Sequence, residues 1–264
     1  MSTTADVSTL SLALSSSLVL IALFFSYTQR LKLEKEMITG VVRAVVQLVA
    51  VGYVLEYVFG SESRLFTTVL LLFMVFNAAW NAAKRGGGIR HATAISFLAI
   101  GAGSSVTLAL LIATGAIRYE PYQVIPVSGM IVGNAMVALG LSFRQMAGAF
   151  ASRRAEVETR LALGADILPA SIGIIRDAIK TGMLPTIDSA KTLGIVSLPG
   201  MMTGLILAGA SPLEAIRYQI MVTFMLLSTT AIASFIACYL AYRSFFSERK
   251  ALVIPQSGEA GEAG

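Results

Sequence analysis

The chain has 264 residues, of which 56% are hydrophobic and only 13% charged, whereas soluble domains carry about 25% charged residues. With a mean hydropathy of +0.76, this excludes a water-soluble fold. The 20 Lys and Arg outnumber the 15 acidic residues, but they lie in short segments between apolar runs. Membrane topology explains them better than nucleic acid does, so the expected partner is the lipid bilayer, with no nucleic acid.

A membrane-spanning helix needs roughly 20 apolar residues, and in chain order the candidates are about 10–28, 38–59, 65–83, 92–117, 121–142, 183–209 and 217–242. The first run is preceded only by Asp6 and followed by no small-x-small cleavage pattern, so it reads as a retained helix. Glycine, serine and proline separate the runs, as in Gly60-Ser61-Glu62-Ser63 and Gly209-Ala210-Ser211-Pro212. The expectation is an all-α, polytopic transmembrane bundle of seven helices, a single membrane domain over 1–254 followed by a disordered tail at 255–264 (PQSGEAGEAG).

Basic residues near helix ends are retained on the cytoplasmic side. One alternating set of segments holds Arg30, Lys32, Lys35, Lys84, Arg85, Arg90, Arg144, Arg153, Arg154, Arg160, Arg176, Lys180, Arg243, Arg249 and Lys250. The opposite set holds only Arg64, Arg118 and Arg217, and Arg43 and Lys191 fall within spans. Fifteen against three places the first set inside, which puts the N-terminus outside and the C-terminus in the cytoplasm.

The one long inside segment, about 143–182, is too long for a turn and reads as helix, glycine turn, helix. Phe150, Val157 and Leu161 share a helical face, Glu156 precedes Arg160 by four residues, and Gly164 offers a stop. Asp166 is placed to cap a second helix with Pro169 in its first turn. In that helix Leu168, Ile172, Ile175 and Ile179 repeat opposite Arg176, Asp177 and Lys180, the pattern of an amphipathic helix at the membrane surface.

No catalytic signature is present: no GxxxxGK[ST] loop, no HExxH, no GxSxG, and a single histidine, His91, in a basic loop. Neither a catalytic residue nor a cofactor is expected, and any ATP hydrolysis falls to another subunit. Cys238 lies inside an apolar run and reads as a small buried hydrophobe. For a divalent metal ion the spans offer only Glu56 and Asp188 as carboxylates, with Met130, Met201 and Met202 as softer candidates, and no cluster has metal-ligand spacing.

Arg43, Glu56, Asp188 and Lys191 lie within apolar runs, where an uncompensated charge costs about 2.5–3.5 kcal/mol. Asp188 and Lys191, three apart, either neutralise each other or join Arg43 in a cytoplasmic-side gate. Asn77 and Asn81 either line a polar path or hydrogen-bond between helices. The pattern GMxxG occurs twice, Gly129 to Gly133 after Pro126 and Gly200 to Gly204 after Pro199. These motifs serve either close helix packing or a transport site built from broken helices.

The spacing of Glu158 and Gly164 is that of the glutamate and glycine in E-A-A-x-x-x-G, the EAA motif of ABC importer permeases. Its second half is not matched, since Ile174 precedes Ile175-Arg176-Asp177 rather than a leucine-proline pair. Over almost its full length the chain resembles the FetB family of small permeases. The carrying residues include Asn77-Ala78-Ala79-Trp80-Asn81, Gly133-Asn134-Ala135-Met136-Val137-Ala138, Leu161-Ala162-Leu163-Gly164-Ala165, Asp188-Ser189-Ala190-Lys191-Thr192, Ser197-Leu198-Pro199-Gly200-Met201-Met202 and Tyr218-Gln219-Ile220-Met221. The resemblance implies the membrane subunit of a Fet-type ABC transporter linked to iron export, with a separate nucleotide-binding ATPase and a permease homodimer. Plant relatives are associated with aluminium tolerance and UDP-glucose movement, so a non-metal substrate such as a nucleotide sugar is the alternative cargo. Glu158, Leu161, Leu163, Gly164 and Ala165 are then the expected coupling residues. A self-sufficient secondary carrier or channel is the competing class, and it would need ion-coupling carboxylates near the midplane.

Overall fold

The computed structural model describes residues 8–61, 63–86 and 88–253. The tail from Pro255 and the middle glycine of the 86–88 run lie outside the described residues. The helices are α1 (Thr9–Ser15), α2 (Ser17–Thr28), α3 (Glu34–Ser61), α4 (Arg64–Lys84), α5 (Ala92–Ala113), α6 (Pro121–Ser152), α7 (Arg154–Ala162), α8 (Ile167–Thr192), α9 (Gly200–Leu207) and α10 (Pro212–Ala241). The described residues hold no named strand, only isolated bridges at Leu193 with Ser197 and Phe246 with Leu252. Five helices, α3, α4, α5, α6 and α10, are long and apolar enough to cross a membrane.

The two other expected spans are not single uninterrupted helices. The first is divided at Ser16 within a serine run, where the Ser15 hydroxyl donates to the carbonyl of Ser11 (2.8 Å) and that of Ser17 to Leu14 (2.6 Å). Serine back-bonding of this kind competes with the helix ladder and bends it. The sixth, expected over 183–209, is divided at 193–199. Residues before a proline avoid the α region, so Leu198 ends any continuation into Pro199, and Gly194 turns the chain at φ +78°. Its first half is the end of α8, whose start lies in the segment expected to be a helix at the membrane surface.

The chain forms two compact units. Residues 8–61 and 204–210 belong to one. In it Ser26 links α2 to α3 by donating to Glu34 Oε1 at 2.7 Å. The larger unit, residues 63–203 and 211–253, is a bundle in which α10 packs on α5, α6 and α8, and α6 on α4 and α8. Its core includes Ile100, Ile131, Leu139, Phe143, Met146 and Ile175, each fully buried. Outward, Leu65, Val69, Leu72, Phe73 and Phe76 of α4 are exposed, as a lipid-facing surface requires.

Helix α6 has 32 residues, about 48 Å at 1.5 Å per residue, against a hydrocarbon core of about 30 Å. Its expected end at 142 is therefore corrected. The chain remains helical to Ser152 because Phe143, Met146 and Phe150 continue its buried stripe, and Phe150 stacks on Phe245 at 4.3 Å. Of the two readings of the first GMxxG motif, the broken helix is not seen: α6 passes through Pro126, Gly129 and Gly133. The surface-helix expectation for 167–182 is corrected too. There α8 buries Ala170, Ser171, Ile174, Ile175, Ala178 and Gly182 while packing on α6 and α10. A reading from large apolar residues concealed this, since four of the six buried residues are small.

Helix starts follow local chemistry. Asp166 caps α8 by accepting from the Ile167 N–H (2.9 Å), with Pro169 in the first turn. Ser211 and Glu214 form a reciprocal capping box on α10, with Pro212 at its first position.

Candidate substrate cavity and coupling tip

The interruption between α8 and α9 borders a cavity of about 450 Å³. Helix α6 contributes Met130 and Asn134, α8 contributes Pro185, Thr186 and Ser189, the interruption and the start of α9 contribute Pro199, Gly200 and Met201, and α10 contributes Gln219 and Thr223. Both GMxxG motifs thus deliver their methionine to one space. Pro185 lacks the N–H that the carbonyl of Thr181 would otherwise accept, and Pro126 does the same to Tyr122. Asn134 donates from Nδ2 to the Met130 carbonyl (2.8 Å), and the Thr223 hydroxyl donates to the Gln219 carbonyl (2.9 Å). The side-chain oxygen of Gln219 is buried with no hydrogen-bond partner among the described residues.

No charged residue lines this cavity, and no group of three or more His, Cys, Asp or Glu occurs among the described residues. Its chemistry is that of amides, hydroxyls and thioethers. A somewhat larger hollow, about 520 Å³, lies by Trp80, Lys84 and His91, where Lys84 sits 5.4 Å from the Trp80 ring centroid. It is shallower, and the motif-built space, into which both GMxxG methionines reach, is the better candidate for a solute.

The sequence-derived polar residues are dispersed. Asp188 and Lys191 form a 3.0 Å ion pair on α8, both about two-thirds exposed. Asn81 donates to the side chain and carbonyl of Asn77 within α4 (2.9 and 2.8 Å), so the pair bonds along one helix. Arg43 and Glu56 are exposed on α3, in the smaller unit. Gly204 ends its motif in that unit as well. Thr186, Ser189, Gln219 and Thr223 were not singled out as site residues by sequence reasoning. A hydrophilic residue inside an apolar run was the signal that could have found them.

The helix-glycine-helix segment has a defined tip. Helix α7 ends in a Schellman motif, with Gly164 N–H donating to the Leu161 carbonyl and Ala165 N–H to that of Arg160, both at 3.0 Å. Gly164 has φ +89°. Val157 is buried and Leu161 half-buried, whereas Leu163 is 83% exposed. Glu158 pairs with Arg154 and Glu156 with Arg160, both at 2.7 Å. Arg153 bridges from the end of α6 to Asp177 on α8 at 3.0 Å. Lys250 reaches Asp166 at 2.9 Å, and its hydrogen bond, with that of the Ile167 N–H, holds the Asp166 carboxyl below its ordinary value.

Residues 9–246 match the family described as "Uncharacterised protein family (UPF0014)". The chain is 50% identical over 246 residues to an Escherichia coli (strain K12) protein named "Probable iron export permease protein FetB", covering 93% of this chain and 95% of that one. It is 40% identical to the rice (Oryza sativa subsp. japonica) "UPF0014 membrane protein STAR2", covering 88% and 82%. It is 39% identical to the Arabidopsis thaliana "Protein ALUMINUM SENSITIVE 3", covering 87% and 84%. No solved structure is significantly similar to it.

Proposed function

This chain belongs to the UPF0014 family, and from that premise we propose that it is the permease subunit of an ABC transporter in a bacterial inner membrane, exporting iron or a related metal. ATP is hydrolysed on a separate nucleotide-binding subunit, and two permease copies pair. In this reading the membrane domain covers 1–254 and has seven spans, α1–α2 and α8–α9 being interrupted ones. The N-terminus is outside, and the α7 tip and C-terminus are cytoplasmic.

The observation that carries the ATP-driven reading is the tip itself. A nine-residue helix, held by ion pairs and stopped by a glycine, presents Leu163 to solvent. A leucine contributes about 1.5–3 kcal/mol when fully buried, so a partner groove is its natural destination. A proton-coupled carrier finds less support, since the cavity has no titratable side chain to bind and release a coupling proton.

The test is co-purification of the chain with an ATPase and reconstitution into proteoliposomes. Metal-stimulated ATP hydrolysis and ATP-dependent flux are expected. Flux without any ATPase would instead establish a carrier. Cysteines placed at Ser61 and Arg154 should label from opposite faces, and labelling from the same face would end the seven-span reading.

A further inference from the structure

We propose that the hollow by Trp80, Lys84 and His91 binds an anionic phospholipid of the phosphatidylglycerol class, its phosphodiester on Lys84 and an acyl chain along the outer face of α4. The inference goes beyond the permease reading and needs only that α4 and α5 cross the bilayer.

Charge is the first observation. No acidic residue occurs between Glu62 and Glu120, so the hairpin of α4 and α5 has no carboxylate of its own to neutralise Lys84, Arg85 and Arg90. None of the three forms an ion pair among the described residues. Arg85 is drawn away from the hollow: its side chain lies against Gly140 of α6, where an added Cβ would meet its Cδ at 2.7 Å. Lys84 stays exposed in the lining beside His91. The short connection between two spans lies at a membrane surface, so this is a cationic recess at headgroup level.

The second observation is apolar. Phe73, Phe76, Trp80 and Lys84 recur at helical spacing on one face of α4, and the three aromatic residues are each half or more exposed. Phe97 and Leu98, in the second turn of the neighbouring α5, are exposed as well. Cation, indole and apolar surface thus follow one another from the membrane boundary inward, the polarity profile of a phospholipid. Lys84 Nζ sits 5.4 Å from the Trp80 ring centroid, so the aromatic face that would attract a choline ammonium already meets a cation. A lipid with net negative charge meets no such opposition.

Trp80 is the single tryptophan of the chain, so its emission reports this site alone. The full-length chain is reconstituted in vesicles of equal parts phosphatidylcholine and phosphatidylglycerol, with brominated acyl chains on one lipid or the other. Brominated phosphatidylglycerol should quench more, by a preference of about fivefold, the effect of one cation at an anionic surface. Lys84→Gln should abolish that preference and Lys84→Arg should keep it. Arg243→Gln, which removes an exposed cation outside the hollow, should leave it unchanged. Melting curves of the variants, expected to coincide with the parent, separate a lost lipid from a lost fold. Equal quenching by the two brominated lipids in the parent would overturn the proposal. So would equal losses in Lys84→Gln and Arg243→Gln, the mark of diffuse surface charge. Emission restored by millimolar glycerol phosphate would assign the hollow to a soluble phosphate and overturn the lipid as its occupant; emission that stays quenched supports it.

Discussion

Replacing Gly182 by alanine probes the packing that positions the cavity. Gly182 is buried on α8 three residues before Pro185, where α8 meets α6 and α10. A Cβ there would overlap Ser142 Oγ and lie 2.7 Å from the Ala138 carbonyl oxygen and 3.2 Å from Ser234 Oγ. A hydroxyl can rotate away, but the carbonyl belongs to the backbone of α6 and cannot, so the helices must separate. Overpacking costs about 1–3 kcal/mol, and a backbone obstacle places this case at the top, about 3 kcal/mol. At about 2–4 °C per kcal/mol for a chain of this size, melting in detergent should fall by about 6–12 °C, and flux should fall with it. Adding Ser142→Gly should restore only part of the loss, because the carbonyl contact remains. Gly133→Ala, where nothing lies within 4 Å of the added carbon, is the control and should be neutral or slightly stabilising. A Gly182→Ala protein melting within about 1 °C of the parent would show that the helices are not this close.

At the tip, Leu163→Asp should leave melting unchanged, since the residue is exposed, yet lower ATPase retention in pull-downs; normal retention and flux would remove the tip from the coupling account. Gly164→Val meets no steric neighbour within 4 Å but forces a side chain to φ +89°, costing roughly 1–2 kcal/mol locally, and should uncouple hydrolysis from transport without blocking insertion. Asp188→Asn should impair folding or flux by leaving Lys191 uncompensated, with Lys191→Met restoring part of it; a double variant as impaired as the sum of the singles would deny their coupling. The Asp166 carboxyl is depressed in the folded chain, so its pairing stabilises above the unfolded value of about 3.9 and is lost as pH falls through the lower folded one. The melting difference between parent and Lys250→Met should therefore be present at pH 6 and shrink below about pH 4. A difference constant across that range would dissociate it from Asp166.

Much of this fold was legible because apolar runs, breakers and caps act locally. Asp166 capping α8 and Gly164 stopping α7 at positive φ need only their immediate neighbours, and both were visible as residue types in position. What was not legible depended on packing. The continuation of α6 to Ser152 and the burial of α8 rest on Ala170, Ala178 and Gly182, whose smallness matters only because another helix passes beside them. Hydropathy weights such residues weakly, so the stripe they form was hidden behind Arg176, Asp177 and Lys180.

The same contrast separates the polar residues that drew notice from those that line the cavity. Asp188 and Lys191 stand out in a sequence because charge is costly in an apolar run, but the cost is met locally, by each other, at 3.0 Å. Gln219 and Thr223 carry no charge and do not stand out. Their position opposite Met130 and Met201 arises from the approach of α6 and α10 and from the break that Pro199 enforces.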